Sequence, residues 1–333
     1  MNDSCTTPHT PRSVPARSRV AEWKSVGALL VLVAFSMAVQ GCAGPRAAGE
    51  SGHNARSAAR TASTDLLLAE SLRQYINHRD PAQALAIAQL AVKRSPERPD
   101  ALWILLQICG NAQGCQPEPL EAQLRTLDPT NGLVWLGPLN RSMQRSDFAA
   151  ADQILEAIGR MQHVDLRWNS LVSKLAVALS ERTRTTTPEN KTPLLDGLNE
   201  SVSLLSNLAL PAFQPLSESC SSRRLVDKLV AARCLLVSAV LQRSDTNVAE
   251  SVGLGIAQRL AGSDTVENAK VEQRIAIARY QREATSEIMS AQLEKERFAK
   301  ELIEVMGKQR REQDVFIAII RWAGQPLTPQ PTG

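Results

Sequence analysis

Tryptophan residues recur along this chain at a nearly constant interval. Trp103 and Trp135 are 32 residues apart, Trp135 and Trp168 are 33 apart, and Pro96 and Pro129 are also separated by 33 residues. An interval of this length accommodates two short helices and their turns. Because one such pair cannot bury its apolar face alone, successive pairs stack and share a continuous core. The spacing therefore predicts a stack of helix pairs with the three tryptophans packed in its core.

The composition favours helices over strands. Hydrophobic residues make up 43% of the 333-residue chain, but aromatic residues only 4%, and β-branched residues are sparse. Leu, Ala, Glu, Gln and Arg, which are good helix formers, are abundant. No stretch sustains the apolar–polar alternation of a half-buried strand. We therefore expect an all-α protein.

The clearest helix pair lies within residues 65–96. Tyr75 takes an aromatic position in its first helix, Pro96 closes the unit, and small residues line one face of the second helix, namely Ala84, Ala88 and Ala91. This pattern resembles the tetratricopeptide repeat, a 34-residue helix–turn–helix unit. The resemblance implies a right-handed α-solenoid over residues 65–180, in which Tyr75 and the three tryptophans are structural core positions.

The later units match the repeat less fully. In residues 132–163, Trp135 opens the first helix, Asp147-Phe148 occupies the turn, and the second helix is lined by Ala151, Leu155 and Ile158. The unit before it has Cys109 where an aromatic residue is usual, and a Cys–Gly loop replaces its turn. Trp168 then begins a fourth first-helix for which the sequence indicates no clear partner.

Two further regions complete the helical part. A polar, proline-containing break at 181–193 opens a second helical region, 181–262. Residues 264–322 predict a long charged helix from Asp264 to about Asp314, then a short apolar helix, and 323–333 form an extended tail. The long helix carries an apolar stripe that packs either on the chain's own helices or on a second copy; it contains Ile288, Phe298, Leu302 and Val305.

The amino terminus has the layout of an export signal. Four basic residues precede an apolar run at 26–39, which leads into Val39-Gln40-Gly41-Cys42. This run resembles the lipobox of bacterial lipoproteins. The resemblance implies that residues 1–41 are a signal peptide and that Cys42 carries a diacylglyceryl group and a fatty acyl chain such as palmitate. Residues 42–64 would then include a flexible tether.

A transmembrane anchor is the alternative interpretation of the apolar run. The run holds about fourteen residues, whereas a bilayer-spanning helix takes roughly 20. We therefore expect a lipid anchor facing the periplasm. Ala43 and Gly44, with no aspartate after the cysteine, favour the outer membrane by resemblance to enterobacterial sorting. A tether of this length has an r.m.s. span of about 25 Å.

Four cysteines follow the lipidated one: Cys109, Cys115, Cys220 and Cys234. An even number in an exported protein favours disulfides, for which three pairings exist. The simplest are the local pairs Cys109–Cys115 and Cys220–Cys234. Zinc binding is the competing interpretation, but the pairs lie far apart in sequence and have no adjacent histidines.

The sequence offers little to support catalysis. The histidines after residue 42 are His53, His78 and His163, and none belongs to a catalytic or metal-binding motif. We expect no metal and no cofactor. After removal of residues 1–41 the net charge is near +2, from 34 basic and 32 acidic residues, so nucleic acid is not an expected partner.

The expected function is that of a lipid-anchored scaffold that binds an envelope protein or peptide, by analogy with other helical repeat proteins. A structural or assembly subunit that forms homo-oligomers through the C-terminal helix is the alternative. An envelope hydrolase is the least favoured interpretation. Glycoside chemistry needs only two carboxylates, of which the sequence has many, but no motif supports a hydrolase.

Overall fold

The structure is a computed structural model and describes residues 62–77, 79–292 and 295–330, with only the backbone described for 209–212. The predicted signal peptide, the lipidation site Cys42, and two of the histidines, His53 and His78, lie outside these residues. All described residues belong to one compact unit. Among them, no helix is both long and apolar enough to cross a membrane.

The described chain is all-α and solenoid-like, as predicted, and contains no β-strand. A 3₁₀ turn, Gly132–Trp135, precedes the fifth of fourteen α-helices. These helices are α1 (Thr64–Ile76), α2 (Pro81–Arg94), α3 (Pro99–Cys109), α4 (Pro117–Leu127), α5 (Leu136–Gln144), α6 (Phe148–Gly159), α7 (Trp168–Thr186), α8 (Pro193–Ala212), α9 (Gln214–Ser219), α10 (Lys228–Leu241), α11 (Asn247–Ala261), α12 (Thr265–Ser290), α13 (Glu296–Lys308) and α14 (Glu312–Trp322).

Local sequence signals explain where many helices begin. The side chains of Ser63, Asp80, Asp147 and Asp227 each accept a hydrogen bond from a backbone N–H in the first turn of the helix that follows. Such caps satisfy donors that have no partner within the helix. A proline opens α2, α3 and α4, where its missing N–H has no cost.

The predicted helix pairs form, and their small residues lie where the helices approach each other. In α2, Ala84, Ala88 and Ala91 are fully buried against α1 and α3. The corresponding residues of α6 are also fully buried; they are Ala151, Leu155 and Ile158. The four alanines let the helix axes come close, while Leu155 and Ile158 fill the space between helices, and both features belong to the repeat pattern.

The aromatic residues predicted as core positions all contribute to the core. Trp103 is only 2% exposed. Tyr75, Trp135 and Trp168 are partly buried and pack against the same cluster of buried residues. A guanidinium group, from Arg125, lies 5.1 Å from the ring centroid of Trp135. The prediction that these residues serve packing is therefore consistent with the fold.

The predicted boundary between the repeats and the second helical region falls inside a helix, α7. It runs from Trp168 through to Thr186, across the boundary placed at residue 181. Its partner, unidentified from sequence, is α8. The two helices approach so closely that a Cβ atom on Gly197 would lie 2.4 Å from the Ala176 carbonyl oxygen. Because α7 also packs on α1 and α13, it joins the two regions into one core.

The prediction of one helix from Asp264 to about Asp314 is wrong. The segment 264–322 forms three helices, α12, α13 and α14, and the first ends at Ser290. Helix α13 packs against α7 and α8. Gly307 lies in the last turn of α13, where an added Cβ would meet the Ser173 hydroxyl at 3.2 Å. Contact with the chain's own helices, which the apolar stripe does not specify, decides this arrangement.

Candidate binding surface

The predicted local disulfides are both present. Cys109 and Cys115 are joined with a Cα–Cα distance of 5.3 Å, and Cys220 and Cys234 with a distance of 5.7 Å. The four sulfurs form two separate disulfides, so none of them is a free thiolate that could bind zinc in this structure. Among the described residues, no group of three His, Cys, Asp or Glu side chains is placed to hold a metal ion.

The Cys220–Cys234 bridge fastens the loop before α10 onto that helix. Helix α10 is apolar on almost every face. Its inner face is fully or nearly fully buried through Val230, Val237 and Leu241, together with Cys234. Its outer face holds Leu229, Leu235 and Leu236, which are 68%, 58% and 50% exposed. Exposed leucines that cluster on one helix are typical of a surface that contacts another molecule.

A groove runs along the C-terminal half of α10, between α10, α11 and α12. Its volume is about 280 Å³. The apolar part of its lining comes from Leu235, Ala239, Ala257 and Val271. Two alanines among these residues leave space that longer side chains would fill, so the groove can accept side chains from outside the molecule.

Charged and polar side chains form the rim of the groove. Arg274 donates to Glu250 at 3.0 Å and to the side-chain oxygen of Gln242 at 3.0 Å. Lys270 donates to Glu267 at 2.6 Å. An apolar floor with a polar rim is the usual composition of a site that binds an apolar segment and orients it by hydrogen bonds.

A second and much smaller cavity lies beside Trp103. Its volume is about 10 Å³, and its lining includes Trp103 and Asp165. The indole Nε1 of Trp103 and the Oδ1 atom of Asp165 are both buried without a hydrogen-bond partner in the protein. A cavity of this size holds one water molecule at most. It therefore offers no room for a ligand that stacks on the tryptophan.

Buried carboxylates meet where the loops before α7, α11 and α14 come together. The backbone N–H groups of Leu166 and Trp168 donate to the two oxygens of Asp245 at 3.0 and 2.9 Å. Asp165 accepts from the Nε of Arg310 at 2.7 Å. We call this set, with Glu312, the carboxylate junction.

Glu312 connects the junction to the C-terminal helices. Its carboxylate accepts from the Asn247 backbone N–H at 2.7 Å, and its own N–H donates to the Asp245 carbonyl at 2.7 Å. Burial, aided by the negative charge of Asp165, raises the pKa of Asp245 to about 8 against the opposing effect of its two N–H donors. Burial also raises the pKa of Glu312.

Perturbed carboxyl groups often mark active sites, but burial argues for a structural role here. Asp245 is 0% exposed and Asp165 is 6% exposed, while Glu312 is partly buried. A substrate cannot reach Asp245, and each of the three residues links loops that are distant in sequence. His163 lies at the edge, 3.9 Å from Asp165. This cluster could not be predicted from the sequence, because its members are separated by about 70 to 80 residues and follow no motif.

No protein-family model, curated protein or solved structure matches this chain. The candidate function therefore depends on the surface itself. The groove and the exposed face of α10 are surfaces that a partner molecule can reach, whereas the carboxylate junction and the cavity beside Trp103 are not.

Proposed function

We propose that this chain is a lipid-anchored scaffold of the bacterial cell envelope, which binds an apolar segment of a partner protein in the groove of α10, α11 and α12. The observation that carries the proposal is the groove itself, with its apolar floor open to solvent and its polar rim. Helical proteins commonly bind a partner helix in such a groove, through apolar side chains spaced along one face.

The proposed location has two supports. The run Val39-Gln40-Gly41-Cys42 resembles a lipobox, which would attach the protein to the membrane through Cys42 on the periplasmic side, with the outer membrane favoured. Two disulfides of ordinary geometry fit an oxidising compartment. Cells that express the chain should incorporate labelled fatty acid into it, and Cys42→Ser should abolish the label. Wild-type protein without the label would remove the anchor from the proposal.

A photo-crosslinking amino acid at Ala239 tests the groove directly. Ala239 lies on the groove floor, so irradiation of cells should give a cross-linked product of discrete mass. Val271→Glu places a charge on the same floor and should abolish that product, because an unpartnered charge opposes burial of an apolar segment. The same amino acid at Ala86, an exposed position of α2, is the matched control and should give no such product.

Absence of the product at position 239, or its persistence in the Val271→Glu variant, would overturn the groove as the binding site. The assembly-subunit alternative has weaker support than the scaffold. The apolar stripe expected to drive it packs within the chain, since Leu302 is 3% exposed and the other stripe residues, Ile288, Phe298 and Val305, are partly buried against the same core.

A further inference from the structure

The segment that includes α10 differs from the rest of the chain in charge. Residues 221–243 contain five basic residues and one acidic residue, a net charge of +4, which equals the net charge of the entire chain. The basic residues are Arg223, Arg224, Lys228, Arg233 and Arg243. Two of them, Arg224 and Arg233, are offset by Asp152 and Glu156 of α6, so the exposed charge of the segment is that of Arg223, Lys228 and Arg243 less Asp227, a net charge of +2.

Large apolar side chains project from the same segment at its N-terminal end. Val226 in the loop before α10 is 83% exposed and Leu229 is 68% exposed. Leu236, seven residues further along the helix, lies on the same face as Leu229 and is half-exposed. Together with Arg223 and Lys228, these residues form what we call the cationic face. Unlike the groove, the cationic face has apolar groups that stand out from the surface.

Several interactions hold the cationic face in a fixed shape. The Cys220–Cys234 bridge ties its loop to α10, and Asp227 caps the helix through the N–H groups of Leu229 and Val230. Arg224 is anchored to Asp152, and its guanidinium lies 5.1 Å from the ring centroid of Phe148. The backbone that carries the exposed valine and leucines is therefore already ordered, so binding costs little backbone entropy.

We propose that the cationic face docks on the surface of an anionic lipid bilayer, as a second membrane contact besides the lipid anchor. Projecting leucine and valine side chains can enter the boundary between headgroups and acyl chains, while basic residues beside them contact anionic headgroups. A protein partner would need a matching cavity for each projecting side chain, whereas a fluid bilayer adapts to them. The charge of the segment selects an anionic surface.

This inference rests on the proposed lipid anchor. A tether with an r.m.s. span of about 25 Å keeps the folded part close to the bilayer. Docking of the cationic face is then an intramolecular step, with an effective concentration on the order of millimolar, so a weak contact suffices. Docking would orient the scaffold, with α10 toward the membrane and the adjoining groove near its surface.

Hydroxyl-radical footprinting of the full chain in vesicles tests this contact. The acylated protein is reconstituted into phosphatidylcholine vesicles, with or without about 30% phosphatidylglycerol as the anionic lipid. Oxidation of Val226 and Leu229 is expected to fall about threefold or more in the anionic vesicles, because lipid replaces water around these side chains. Trp322, half-exposed on α14, is the internal reference and should be oxidised equally in both. Salt at about 0.5 M should reduce the protection through screening.

Charge-reversal variants separate this contact from a general attraction. The double variant Arg223→Glu, Lys228→Glu should lose the protection of Leu229. The control variant Arg145→Glu, Arg184→Glu changes the net charge by the same amount, at exposed positions on other helices or loops. It should retain the protection of Leu229.

Equal oxidation of Leu229 in the two kinds of vesicle would overturn the inference. Protection that persists in detergent micelles, with a doubled particle mass or a bound protein, would instead assign the face to a second copy or a protein partner and would also overturn it. Failure of the anchor is distinguishable, since the chain would then be absent from the vesicles. Failure of docking leaves it present with Leu229 fully oxidised.

Discussion

Helices α10 and α13 both have apolar faces, but only one of them is covered by the chain. In α13 the apolar residues occupy a single face, formed by Ala299, Leu302, Ile303 and Met306, and that face is buried. In α10 they surround the helix, but neighbouring helices bury only one side of it, whereas nearly every residue of the equally apolar α3 is buried. The comparison shows that the apolar pattern alone does not decide which faces are covered, because coverage depends on which helices lie beside each face.

The largest expected effect comes from placing one charge in each helix. Leu302→Asp buries a carboxylate without a partner and should lower the free energy of unfolding by about 3–5 kcal/mol. Leu235→Asp, the matched change on the exposed face of α10, should lower it by no more than about 0.5 kcal/mol. Chemical denaturation followed by circular dichroism measures both. Similar losses in the two variants would contradict the comparison.

The disulfides should contribute unequally. The Cys220–Cys234 bridge closes a loop of fifteen residues and should stabilise the fold by about 3 kcal/mol, whereas the seven-residue loop of Cys109–Cys115 should give about 2 kcal/mol. Paired serine variants measured by denaturation test this order. Removal of the Cys220–Cys234 bridge should also increase hydrogen exchange at the start of α10. Alkylation of the unfolded, unreduced protein should label none of the four cysteines, and labelling of any would refute the pairing.

The carboxylate junction should make stability depend on pH. Because the folded-state pKa of Asp245 is raised above its unfolded value, its contribution is fully present below about pH 4 and is lost as the pH rises to about 8. Asp245→Asn should therefore lose less stability than the wild type between pH 5 and pH 9. We expect a difference of a few kcal/mol, since each unit by which the folded-state pKa exceeds the unfolded value corresponds to about 1.4 kcal/mol. Melting curves at both pH values would show it, and identical slopes would rule it out.

The smallest effect is expected on the exposed side of α10. Leu229→Ser and Leu236→Ser should each change the free energy of unfolding by less than about 0.5 kcal/mol, because both side chains already contact solvent. Leu236 lies over Gly159 of α6, so its variant should have the larger effect of the two. A loss above about 2 kcal/mol in either would mean that this face is part of the core.

Much of the fold could be predicted because its signals are local. The alanines of α2 and α6, the caps at Asp147 and Asp264, and the pairing of nearby cysteines depend on residues close in sequence. The division of the C-terminal segment could not be predicted in this way. Its charged residues favour a continuous helix, but burial of Leu302 against α7 requires the chain to turn back after Ser290.

The candidate site shows the same limit. The apolar character of residues 225–241 can be read from the sequence, but that Leu235 lies in an open groove while Val237 is buried depends on which helices lie beside α10. The carboxylate junction is the extreme case, because hydrophobic periodicity carries no information about where three distant loops converge.

The sequence by itself indicated the helical class, the helix pairs of the repeat region, the packing role of the tryptophans and the local disulfide pairing as the simplest of three. Each of these follows from short-range geometry or from a repeating interval, and both are written in the order of residues. Only the tertiary structure decided which apolar faces are covered, which carboxylates are enclosed and where a groove remains open. Those properties depend on solvent exclusion by elements that are distant along the chain, and exclusion is a property of the assembled core rather than of any segment.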